Sequence, residues 1–201
     1  MKQTTLIIPG YRGSGPDHWQ SWLENRIPDA RRVTDIDWDQ PRLATWAETV
    51  RYEIDLAPHP VWLVAHSFGC LASIVAAADR PHKVAGAMFV APADPHRFTA
   101  QGLREEHDHA ESVAKRLPTR PQHFPSVVVA SSNDPWSKLA IAAYWAQRWG
   151  SQFICIGHAG HINPDAGFGP WPEGQALLEA MQQTQVGVPL GTLYPSDKAP
   201  T

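Results

Sequence analysis

The 201-residue sequence predicts an α/β fold, a three-layer α/β/α sandwich around a mostly parallel sheet of about six strands. Short aliphatic runs bounded by Gly, Pro or Asp alternate with stretches of helical period. The runs at Thr4–Ile8, Val61–Ala65 and Ser126–Ala130 are almost continuously apolar, as strands covered by helices on both faces must be. With 43% apolar and 18% charged residues, a chain of this length can bury roughly 70% of its unfolded surface in one core, with no need of a disulfide or metal.

The elements follow in order. After the first strand, Thr4–Ile8, Asp17 can cap a helix with Gln20 three residues on, and Trp19, Trp22 and Leu23 supply its inward stripe. A second strand is read at Arg32–Ile36. Leu43, Trp46, Ala47, Val50 and Ile54 recur at i, i+3, i+4, i+7 and i+11, an amphipathic helix. Val61–Ala65 is the third strand, and Phe68–Ala78, apolar nearly all round, is a buried central helix. The fourth strand is Val84–Val90. Residues 93–125 break the alternation: they carry charge and histidine, read as helical from about Leu103 to Leu117, and suggest a small cap. The fifth strand, Ser126–Ala130, precedes a helix with Ala142, Trp145, Ala146 and Trp149 facing inward and Gly150 at its left-handed C-terminal cap. Gln152–Ile156 is the sixth strand, and a helix over Gly174–Thr184 closes a single domain spanning residues 1–185. Residues 186–201, with three prolines and no period, predict a tail that is mobile unless docked.

Seventeen Lys and Arg against twenty Asp and Glu leave a net charge of −3, with no basic stripe to neutralise phosphates, so nucleic acid is not an expected partner. Cys70 and Cys155 lie in apolar runs without CxxC spacing, which suits thiols in a reducing, cytoplasmic location. No run approaches the ~18 apolar residues of a membrane span, and the apolar run near the N-terminus is too short for a signal peptide. Glu105-Glu106-His107-Asp108-His109 has the residue types of a metal site. In a helix, however, residues two apart face different sides, and nothing completes a ligand set; neither metal nor cofactor is expected.

The strongest chemical signal is Val61-Trp62-Leu63-Val64-Ala65-His66-Ser67-Phe68-Gly69, a buried strand entering a buried helix through a nucleophile elbow with Ala65 in place of the first glycine. Such a turn needs small residues on either side of the serine and presents Ser67 at a helix N-terminus, where negative charge is favoured. A hydroxyl becomes a nucleophile only when a base takes its proton, and the base needs an acid to hold its tautomer. Asp134, in Ser131-Ser132-Asn133-Asp134-Pro135-Trp136, follows the fifth strand, and His161, in Gly157-His158-Ala159-Gly160-His161-Ile162-Asn163, follows the sixth. His66 is unsuited as base because the residue before an elbow serine points away from it; its expected role is to tune or pack the turn. His161 is preferred to His158 because Ala159-Gly160 lets the loop reach the serine. Phe68 N–H and Tyr11 N–H are the candidate oxyanion donors, Gly10 permitting close backbone approach. The loop Gly10–Gly15 lacks both the P-loop Gly-Lys-Ser/Thr and the dinucleotide spacing.

The order Ser67, Asp134, His161 resembles that of α/β-hydrolases. Together with Ile8-Pro9-Gly10-Tyr11-Arg12-Gly13-Ser14-Gly15-Pro16-Asp17-His18-Trp19-Gln20, Ala65-His66-Ser67-Phe68-Gly69, Asn133-Asp134-Pro135 and the His158/His161 segment, it resembles the small serine hydrolases of the retinoblastoma-binding protein nine type and their bacterial relatives. The resemblance spans most of residues 4–184 and implies a compact hydrolase with the triad Ser67, Asp134 and His161. The expected activity is cleavage of an ester, thioester or amide in a small-molecule acyl substrate, carboxylesterase-like. A peptidase, or a binding protein on the same fold with little turnover and a protein partner, remains open. Of nine tryptophans, Trp22, Trp46, Trp62, Trp145 and Trp149 are assigned to packing, whereas Trp19, Trp136 and Trp171 adjoin the active loops and are expected to wall an acyl pocket.

Overall fold

The computed structural model describes residues 3–184; the tail expected at 186–201 lies outside them. The chain divides after Pro170 into two units. The first contains β1 (Thr5–Ile8), α1 (Trp19–Glu24), β2 (Ala30–Arg32), α2 (Leu43–Leu56), β3 (Val61–His66), α3 (Phe68–Ala78) and β4 (Val84–Val90). It continues through the two-residue strands β5 (Phe98–Thr99) and β6 (Gly102–Leu103) to β7 (Ser126–Ala130), α4 (Leu139–Trp149) and β8 (Gln152–Cys155). The second unit holds α5 (Pro172–Thr184), with Leu177, Leu178 and Met181 buried and the Trp171 ring close against Gly174.

Six strands form one parallel sheet in the order β2-β1-β3-β4-β7-β8, flanked by helices in a three-layer arrangement. Every residue of β1, β3, β4 and β7 is buried, which explains their unbroken apolar runs. The chain leaves β1 toward β2 on one side and leaves β3 toward β4 on the other. The carboxyl ends of the adjacent β1 and β3 therefore meet at a topological switch point, where parallel sheets bind ligands.

Two glycines make this junction tight. A Cβ on Gly69 would sit 2.3 Å from the Pro9 carbonyl oxygen, so only glycine lets α3 start against the end of β1. A Cβ on Gly10 would sit 2.7 Å from Ser67 Cβ. The loop after β1 thus abuts the serine.

Three sequence expectations are corrected. The second strand is Ala30–Arg32, not Arg32–Ile36: Val33 and Ile36 are apolar because they fill the core just beyond the strand, where Asp35 turns the chain at φ 60°. Asp17 does not cap α1. His18 does, its Nδ1 accepting the Gln20 N–H at 3.1 Å, and the Gln20 side chain turns inward to donate to the carbonyls of Ile8 and Val64, both at 3.1 Å. One glutamine thus ties the ends of β1 and β3 together. Residues 103–117 form no α-helix. Phe98–Thr99 pairs antiparallel with Gly102–Leu103, Thr99 bridges to Ser112, and a single 3₁₀ turn spans Val113–Arg116. Asp108 accepts the Ala110 N–H while Arg104 donates to the Asp108 carbonyl, local bonds that compete with a helix in a stretch without an apolar stripe. Among the described residues no helix is long and apolar enough to cross a membrane, and no group of three or more His, Cys, Asp or Glu is placed to hold a metal.

Candidate active site

Ser67 stands between β3 and α3 at φ 53°, ψ −124°, a backbone conformation costing of order 1–3 kcal/mol for a residue with a side chain. The strain is held by the sheet: Ser67 N–H donates to Val90 O at 3.0 Å and Ser67 O accepts from Ala93 N–H at 3.2 Å. The turn throws Oγ clear of the sheet edge. There it lies 2.9 Å from His161 Nε2, and His161 Nδ1 lies 2.8 Å from Asp134 Oδ2. A carboxylate oxygen can only accept, so Nδ1 carries the proton and Nε2 offers its lone pair to the serine hydroxyl. The other Asp134 oxygen, Oδ1, accepts the N–H groups of Trp136 and Ser137 at 2.8 and 3.3 Å, which keeps the carboxylate aimed. His158, the rejected alternative, is exposed.

The loops bearing Asp134 and His161 are fastened to each other. Ala159 N–H donates to Ser131 Oγ at 2.9 Å, and Gly160 N–H donates to Asn133 Oδ1 at 2.8 Å, one residue before the histidine. From the opposite side, the His66 ring donates from Nε2 to the His161 carbonyl at 2.9 Å, and the Trp19 indole N–H donates to the next carbonyl, Ile162 O, also at 2.9 Å. Ile162 needs that hold, because it sits at φ 49°, unfavourable for a β-branched residue. His161 is thus held through backbone bonds at residues 160, 161 and 162.

Two further histidines crowd this centre. His66 lies 4.9 Å from the His161 ring and 4.8 Å from His18 between centroids. Burial, reinforced by mutual repulsion with His161 and His18, holds the His66 pKa well below its ordinary value. Burial, with Arg32 and His161 nearby, lowers His18 to about 4. Both rings are neutral at pH 7. The buried Cys70 thiol is pushed well above its usual pKa by desolvation and is inert, whereas Cys155 is exposed; both are free thiols.

A cavity of about 520 Å³ opens over Ser67 and His161. Tyr11 and Trp136 are on its wall, Trp136 being 52% exposed. Trp19 is instead only 1% exposed, its ring edge against His66, so it backs the site rather than walling the pocket. Trp171 belongs to the second unit. Phe68 opens α3, and its ring packs 5.0 Å from Trp46 and 4.5 Å from Phe98 between centroids. Neither the Phe68 nor the Tyr11 N–H has a hydrogen-bond partner among the described residues.

Sequence reasoning gave His66 a part in the turn but not its bond to His161, and missed Gln20, Trp19, Ser131 and Asn133 as supports. Only the last two left a signal, a run of short oxygen-bearing side chains at a strand end, which favours side chain to backbone bonds.

The chain is similar in sequence and in fold to known proteins. The model of a family described as serine hydrolase matches residues 5–180. YdeN of Bacillus subtilis (strain 168) is 27% identical over 182 residues, covering 86% of this chain and 92% of that protein. The crystal structure of a YdeN-like protein from Pectobacterium atrosepticum is 37% identical, covers 94% of each chain and superposes with a TM-score of 0.77. More distantly, Est1E of Butyrivibrio proteoclasticus, seen with ferulic acid bound, shares the fold at 15% identity and a TM-score of 0.64, over 92% of this chain and 88% of that one. The chain belongs to the small serine hydrolase family of the α/β-hydrolase superfamily.

Proposed function

We propose that this hydrolase cleaves an ester, thioester or amide of a small-molecule acyl substrate through an acyl-enzyme on Ser67, with esters as the preferred class. The observation that carries the reading is the unbroken chain from Asp134 through both nitrogens of His161 to Ser67 Oγ, at 2.8 and 2.9 Å. Ser67 Oγ attacks the acyl carbon while His161 Nε2 takes its proton. The oxyanion that forms is met by Tyr11 and Phe68 N–H, two donors left free by the fold, and by the N-terminus of α3. His161 then hands its proton to the departing alcohol, thiol or amine. Water, deprotonated by the same nitrogen, attacks the acyl-enzyme, and Ser67 leaves with that proton. Asp134 keeps the imidazole in the required tautomer and stabilises its cation.

The cavity has the capacity for a small acyl group with its leaving group. The two free thiols support a cytoplasmic location.

A fluorophosphonate probe tests the assignment. Wild type is labelled at one site and loses ester turnover, Ser67→Ala is not labelled, and equal labelling of both refutes the role of Ser67. A panel pairing simple esters with aminoacyl amides separates an esterase from a peptidase.

A further inference from the structure

We propose that Arg12 and Arg97 form an anion clamp over Ser67, so that the substrate carries a carboxylate on its acyl chain or leaving group; this rests on the serine hydrolase reading above. Both arginines line the cavity that holds Ser67 and His161. Neither has a carboxylate within ion-pair distance among the described residues, whereas Arg31, Arg32, Arg51 and Arg80 are matched with Glu53, Glu24, Asp79 and Asp55. Asp165 is the one carboxylate on the wall, against two guanidinium groups.

Each arginine is held in a way that surface solubility does not require. Arg97 lies over the Trp136 ring, 4.7 Å from its centroid, and spends one N–H on the Trp136 carbonyl at 3.2 Å. That ledge orders the guanidinium and leaves its remaining donors for a ligand.

Arg12 occupies a position suited to glycine. Gly13 N–H donates to Gly10 O at 2.9 Å, closing a four-residue turn whose third residue, Arg12, stands at φ 68°. A turn with positive φ at that position ordinarily takes Gly or Asn. The Arg12 N–H, bonded to Trp38 O at 2.9 Å, locks the backbone there. The sequence therefore accepts strain one residue after Tyr11, the candidate oxyanion donor, and places a cation on the cavity wall. Two planar donors in one cleft match the geometry of a carboxylate.

The test compares mono-4-nitrophenyl glutarate, ionised at pH 7.5, with its neutral methyl ester, in the full-length protein and in Arg12→Gly and Arg97→Met. Wild type is expected to favour the ionised ester by about tenfold or more in kcat/KM, mainly through KM, as charge-assisted hydrogen bonds imply. Each variant is expected to cut that preference several-fold and to weaken competitive inhibition by glutarate in parallel. Arg12→Gly should also melt at a higher temperature, because glycine relieves the turn; this separates lost recognition from lost folding. A neutral ester turned over as well as the ionised one, or a preference unchanged in both variants, overturns the clamp while leaving the triad intact. Absence of turnover for both esters together with absence of fluorophosphonate labelling overturns the hydrolase reading itself.

Discussion

His18 makes acid stability a direct probe of the site. Its ring is buried, its Nδ1 is committed to capping α1, and its pKa is lowered from 6.5 to about 4. Because the folded pKa is depressed, protons bind the unfolded chain first as pH falls from 7 toward 4. Stability therefore drops across that window and is fully present only above the unfolded value. Between pH 7 and pH 5 the two pKa values imply a loss of about 2 kcal/mol from this residue alone. For a chain of this size that corresponds to a fall of roughly 4–8 °C in Tm. His18→Asn keeps a capping oxygen in the place of Nδ1 but cannot titrate. Urea denaturation at pH 7 and pH 5 should show the variant losing about 2 kcal/mol less than wild type over the interval. His66, buried beside His18 and also depressed, still titrates in the variant, so some acid sensitivity remains. Parallel losses in the two proteins would mean that His18 is not held neutral by burial.

Other outcomes follow from named contacts. His161→Ala should lower ester turnover by about 10⁴-fold or more, whereas His158→Ala, at an exposed position, should keep most of it; steady-state kinetics distinguish them, and the reverse result moves the base. Asp134→Asn should preserve the fold yet reduce kcat by about 10⁴-fold, because an amide no longer enforces the Nδ1–H tautomer; near wild-type kcat would exclude the acid role. Gly69→Ala should destabilise by about 1–3 kcal/mol or fail to fold, its Cβ being driven into the Pro9 carbonyl, and an unchanged denaturation midpoint would contradict the tight junction. Trp19→Phe should cost about 1–3 kcal/mol in the same measurement by leaving the Ile162 carbonyl buried without its donor.

Strands whose burial is total are plainly legible in the sequence. β3 and β4 are buried at every position, so their aliphatic runs announce them, and the loops that follow β3, β7 and β8 place Ser67, Asp134 and His161 on one sheet edge. β2 was misplaced because Ala30-Arg31-Arg32 is half-buried and held by ladder bonds and ion pairs, which leave no apolar pattern. The cap of α1 was missed because imidazole is an uncommon capping group; the aspartate beside it fits the usual rule better. Trp19 shows the remaining limit. Its place beside the base depends on a contact across 143 residues, and no local pattern tells a tryptophan that anchors a loop from one that walls a pocket.

His66 and Ser67 are neighbours in the chain, and both meet residue 161: one grips its backbone carbonyl, the other its imidazole. The pair acts as a caliper whose jaws are a single peptide unit apart, so the spacing between Ser67 and His161 is gauged from β3 rather than inherited from the far end of the loop. The rim formed by Asn163, Pro164 and Asp165 lies just beyond the gauged segment. Residues there can be recast by design to reshape the mouth of the cavity while the distance between Ser67 and His161 stays fixed.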